Sequence, residues 1–114
     1  HGLVELVEAG KANSLEAEKQ LRQDLAPMLA HQIDQLVLGC THYPFLRQTL
    51  SRILPENVTI VDCGNAIARQ TKRLMEQHQI LHLDGGKTTY YSTAVPNENL
   101  WRLFGIDAVK HIQI

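Results

Sequence analysis

The chain of 114 residues is long enough for one small domain or part of a larger one, and its 44% hydrophobic share excludes a wholly disordered polypeptide. Eleven Lys and Arg against twelve Asp and Glu leave a formal charge of -1, which gives no support to a nucleic-acid or anionic-membrane partner. No apolar run approaches the roughly 20 residues of a membrane-spanning helix, no leader pattern is present, and the two cysteines lack metal-type spacing, so a cytoplasmic protein with free thiols is expected.

His1 stands where methionine would open a complete chain, and an apolar helical pattern follows almost at once, so a fragment is expected. Leu3 to Glu8 mixes apolar and acidic residues in a short helix-like block that Gly10 ends. Asn13 and Glu16 have the spacing of a capping box, and Leu21, Leu25, Met28 and Leu29 follow at helical spacing. That pattern predicts a helix from about Ser14 to His31, with Pro27 as a kink or a break. Gln35 to Gly39 carries a continuous apolar run, the pattern of a strand buried on both faces. Pro44 opens an amphipathic segment in which Leu46, Leu50, Ile53 and Leu54 keep the helical stripe until Pro55.

Val58 to Val61 reads as a second short strand, ended by Asp62, Cys63 and Gly64, and Ile67, Thr71, Leu74, Met75 and His78 share one face of the helix after it. Strand, helix, strand, helix predicts an α/β fold, a parallel sheet flanked by helices with both strand-to-helix turns opening on one edge. Asp84, Gly85 and Gly86 form a turn, and Thr88 to Thr93 is rich in β-branched and aromatic residues, as in a strand. Pro96 and Asn97 lead into a short helix through Trp101 and Phe104, both expected in the core, and Val109 to Ile114 alternates as a last strand. No internal repeat and no low-complexity tract interrupts this order.

Chemistry is expected at the first turn, within the stretch LVLGCTHYPFL from Leu36 to Leu46. Ligands in open α/β sheets collect at the carboxyl ends of strands, and a helix starting there favours thiolate over thiol at a neighbouring cysteine. His42, two residues from Cys40, is placed to take or share its proton. The competing readings are a buried, inert Cys40 and a His42 that merely caps or solvates the helix. Read from these residues alone, Cys40 and His42 also suit the nucleophile and base of a hydrolase or transferase, or a non-catalytic module that binds a small acid.

The GCTHYP segment at 39–44, with VELVE upstream and IVDCG downstream, resembles the carboxyl-terminal half of glutamate racemase, in the cofactor-independent aspartate/glutamate racemase superfamily. The resemblance implies a fragment of a two-domain racemase fold. Residues 1–86 would form the second α/β domain, and residues 87–114 would return to a first domain that is absent. It implies interconversion of L- and D-glutamate by two thiols, the D form feeding peptidoglycan, with no cofactor and no metal. Cys40 and His42 would be catalytic, Thr41 would bind substrate, and Glu8 would support the site. The partner thiol would lie in the missing domain, so this polypeptide alone would be inactive. A homodimer is compatible with the likeness.

Other chemistry-bearing residues have plainer readings. Cys63 also follows a strand, but parallel neighbours about 4.8 Å apart would put both sulfurs on one edge, whereas the acid and base of a racemase must face each other across the substrate. It is read as a small turn residue near enough to Cys40 for an adventitious disulfide. His78 and His82 stand four apart like zinc ligands, yet no further ligand is near, and they read as a solvated helix end. Asp62 is expected to cap the next helix, and Gly85 and Gly86 lack phosphate-loop context.

Overall fold

The structure, a computed structural model, describes residues 2–82, 85–94 and 98–113. His1, Asp84, Pro96, Asn97 and Ile114, named above, lie outside the described residues.

The chain opens with α1 (Leu3–Glu8), which buries Leu3 and Val7, one turn apart on one face. Gly10 ends it with φ 72°, and the amides of Gly10 and Lys11 donate to the carbonyls of Val7 and Leu6 at 2.9 and 2.7 Å, a Schellman close that needs a residue without a Cβ penalty. α2 (Leu15–Ala30) buries Ala17, Leu21 and Leu25, and runs through Pro27 without a break into two helices. Its cap is Ser14, whose Oγ accepts from the Ala17 amide at 3.1 Å. The expected Asn13 cap is therefore displaced by one residue, because the Asn13 amide is held by Thr49 at 3.1 Å instead. Met28, expected on the buried stripe, is 48% exposed.

β1 (Gln35–Val37) and β2 (Thr59–Val61) pair in parallel, Leu36 opposite Ile60 and Val37 opposite Val61. Between them run a 3-10 turn, Tyr43–Leu46, and α3 (Arg47–Ile53), so the two strands bracket a βαβ crossover. Leu36 and Leu38 point into a core shared with Val7, Leu21, Leu46 and Leu50. The strand is buried on one face only: Val37 is 67% exposed, against the expectation of burial on both. Among the described residues nothing covers that side of the pair, so an apolar run that reads as doubly buried shows one open face.

α4 (Gly64–Gln77) follows β2 and has no buried residue; Ile67 and Leu74 on its apolar face are 58% and 43% exposed. A second parallel pair, β3 (Tyr90–Ser92) with β4 (Val109–His111), is separate from the first and is bridged by α5 (Glu98–Leu103). The expected core pair Trp101 and Phe104 is only partly buried: Phe104 is 52% exposed and meets Phe45 edge-to-face at 5.0 Å, beside a half-buried Trp101. The radius of gyration is 17.5 Å, against about 13 Å for a globule of this length, so the core is concentrated in α1 to α3 and β1 rather than spread over the chain.

Candidate active site

The first turn carries Cys40, Thr41 and His42 between β1 and the 3-10 turn. The β1 backbone is fixed up to its end, where the Leu38 amide donates to the Val61 carbonyl at 2.8 Å. The Tyr43 amide then donates to the Cys40 carbonyl at 3.2 Å and the Phe45 amide to the His42 carbonyl at 3.2 Å, which folds the chain tightly around Pro44. Because the segment opens as a 3-10 turn and α3 begins only at Arg47, the regular helix starts farther from the thiol than the residue pattern suggested.

The turn and α1 converge on the imidazole of His42. Its Nδ1 lies 3.9 Å from Cys40 Sγ and 3.4 Å from Thr41 Oγ1, and its Nε2 lies 3.2 Å from Glu8 Oε1. A carboxylate only accepts, so the proton of a neutral imidazole sits on Nε2 and points at Glu8. That leaves the Nδ1 lone pair facing the thiol, the tautomer a base for Cys40 must have. Cys40 and His42 are half-buried, while Thr41 is exposed with its hydroxyl within reach of the same Nδ1. All four residues singled out from the sequence, Cys40, Thr41, His42 and Glu8, are thus brought together.

Cys40 also lines an open cavity of about 290 Å³, with residues 37–41 on one wall and residues 61–63 on the other. The thiol is therefore reachable rather than walled in by hydrocarbon. Cys63, exposed and free, lies on the same edge as Cys40, as the parallel pairing requires. Asp62, on that edge, accepts from the Gly64 amide at 3.0 Å and pairs with Arg47 at the start of α3. The Arg47 guanidinium, followed by the Gly64 N–H, holds the Asp62 carboxyl below the usual carboxylate range. His78, at the end of α4, and His82 are exposed, and no group of three or more His, Cys, Asp or Glu able to hold a metal occurs among the described residues.

No protein-family model matches the chain. It is 42% identical over 121 residues to the glutamate racemase of Pseudomonas putida strain W619, an alignment that takes in 99% of this chain and 44% of that protein. Its fold superposes on the crystal structure of glutamate racemase from Thermus thermophilus in complex with β-chloro-D-alanine with a TM-score of 0.77 and 30% identity, covering 97% of this chain and 44% of the other. The chain belongs to the glutamate racemase family.

The Escherichia coli glutamate racemase, solved with L-glutamate and the activator UDP-MurNAc-ala, superposes with a TM-score of 0.74 and 30% identity over 98% of this chain and 45% of its own. The chain thus spans less than half the length of the racemases it matches. One feature of this segment escaped the residue pattern. Arg47 ties α3 to the end of β2 through Asp62, joining the two strand-to-helix turns that form the cavity walls. The available signal was an aspartate ending one apolar run and an arginine a short way past the other, which is too common a pair to single out.

Proposed function

We propose that this chain is the carboxyl-terminal part of a cofactor-independent glutamate racemase and supplies one side of its two-sided site. Residues 1–86 form the second α/β domain and residues 87–114 return to complete the first. The reading rests on one observation above others: the contact series Cys40 Sγ to His42 Nδ1 to Glu8 Oε1 at 3.9 and 3.2 Å, in an open cavity at a strand end.

In this reading His42 Nδ1 accepts the Cys40 thiol proton, and Glu8 steadies the resulting imidazolium through Nε2–H. The Cys40 thiolate removes the α-proton of L-glutamate, and a thiol from the rest of the racemase delivers a proton to the opposite face, giving D-glutamate. The Thr41 hydroxyl hydrogen-bonds the substrate. Removing a proton beside a carboxylate is costly, so the second wall of the site must exclude water and hold the substrate between the two sulfurs. The product D-glutamate feeds peptidoglycan synthesis in the cytoplasm.

The test is a chimera in which this chain replaces the matched 44% of the Pseudomonas putida relative. The chimera is expected to form D-glutamate and to wash solvent deuterium into the α-position, whereas the isolated chain is expected to do neither. Cys40→Ala in the chimera is expected to abolish both. A trapped acyl-thioester on Cys40, or a chimera as active with Cys40→Ala as without, would rule the proposal out.

A further inference from the structure

Cys63 makes no side-chain hydrogen bond as the residue capping α4, a position where Ser, Thr, Asp or Asn would bond the helix amides. Asp62 takes over that task through the Gly64 amide, so the Cys63 sulfur is exposed and structurally idle. Both cysteines are free, and they line the same cavity from its two walls. The cysteines sit in the turns just past these strands, Cys40 beyond Val37 and Cys63 beyond Val61; the strands are in register up to that last pair, and the bond from the Leu38 amide to the Val61 carbonyl keeps the two segments side by side at their exit. Continued past Val37 and Val61, that register places Cys63 opposite Gly39, one residue from Cys40; with neighbouring strands about 4.8 Å apart, a diagonal pair of this kind falls within reach of the roughly 4.4–6.8 Å Cα separation that a disulfide spans.

We propose that Cys63 is the resolving thiol for Cys40, and that a hydroperoxide closes a Cys40–Cys63 disulfide across the mouth of the cavity. His42 Nδ1 takes the Cys40 proton, and the thiolate attacks one peroxide oxygen. The O–O bond breaks, giving Cys40 sulfenic acid and releasing hydroxide, which gains a proton to leave as water. The Cys63 thiolate then attacks the Cys40 sulfur, the S–O bond breaks, and a second hydroxide leaves as water. In sum, two thiols and one hydrogen peroxide give one disulfide and two waters. Closure stops Cys40 from being oxidised further to sulfinic or sulfonic acid, and a dithiol reductant reverses it. The cross-link follows from the two sulfurs alone. Only its consequence, a reversible halt to proton transfer, rests on the racemase reading.

The experiment uses this chain, treated with hydrogen peroxide and digested with trypsin without reduction. Peptides 23–47 and 53–69 are expected to appear as one species lighter by two hydrogens than their sum, and to separate after dithiothreitol. In Cys63→Ser the same dose is expected to leave Cys40 carrying two or three added oxygens. Should that variant fold poorly, Cys63→Ala serves the same comparison. Over-oxidised Cys40 in the unaltered chain, or disulfides only between chains, would overturn the proposal. Racemisation by the chimera is assayed separately, so a failed cross-link and a failed racemase assignment give different results.

Discussion

Glu8 and His42 are 34 positions apart in the chain and meet at 3.2 Å, carboxylate oxygen to Nε2, so the end of α1 sets the tautomer of an imidazole on the thiol turn. Glu8→Gln keeps the shape but offers an amide that also donates, so His42 loses the reason to hold its proton on Nε2. In the racemase chimera the variant is expected to lower kcat about tenfold to a hundredfold, less than the roughly 100- to 10,000-fold that a positioned base itself contributes because His42 is still present, with KM nearly unchanged. In this chain alone, nitrogen-15 spectra of His42 are expected to move from one dominant tautomer to a mixture. Unchanged spectra would show that Glu8 does not orient the ring.

Asp62 gives the fold a dependence on pH. Its carboxyl is held below the usual range by Arg47 and the Gly64 amide, so the folded chain binds that proton less readily than the unfolded one. A depressed carboxyl stabilises above its unfolded pKa, and that share is lost as pH falls through the folded value. Asp62→Asn is therefore expected to lower the melting temperature at neutral pH, with the difference from the unaltered chain shrinking to nothing in acid. Arg47 is 47% exposed, so salt is expected to shrink the neutral-pH difference as well. Melting curves across pH and salt, in both proteins, provide the check.

Thr49 is fully buried and its hydroxyl is 2.9 Å from the Ala12 carbonyl and 3.1 Å from the Asn13 side chain, while Arg52 donates to it at 3.2 Å. One hydroxyl proton cannot serve two acceptors at once, so the shorter contact to the Ala12 carbonyl takes it in preference to the Asn13 Oδ1. Thr49→Val keeps the volume and leaves the Ala12 carbonyl without this donor. The expected loss, read from urea unfolding, is about 1–3 kcal/mol. A loss too small to measure would mean that water replaces the hydroxyl.

How much of this was legible in the sequence depends on the range of the interaction. The thiol turn was readable because its cause is local: an apolar run stops at Gly39, Pro44 starts a new segment, and Cys40 and His42 fall between them. The parallel pairing of β1 and β2 followed from strand, helix and strand in succession. Glu8 entered only through the family resemblance, because no spacing rule links residues brought together by the packing of α1 against the turn. The α2 cap was off by one for the same reason, since Asn13 is claimed by Thr49 from a distant helix. Val37 misled in the other direction: an apolar residue says what a strand suits, not what covers it.

The same distinction predicts how stability is distributed along the chain. α2 buries Ala17, Leu21 and Leu25, whereas α4, with a comparable length and an apolar face of Ile67 and Leu74, buries none of its residues. Isolated helices shorter than about 12–15 residues are marginal in water, and α4 at 14 residues lacks the packing that would add to its own propensity. Its amides are expected to exchange with deuterium faster than those of α2, through local opening that leaves the core intact. Ile67→Ser is accordingly expected to leave the melting temperature unchanged, while Leu21→Ala, which empties a core position, costs about 2–5 kcal/mol. Equal protection of the two helices would mean that α4 is covered in solution, by a second copy or by the face of β1 that Val37 leaves open, and the Ile67 variant would then separate the cases by whether protection falls.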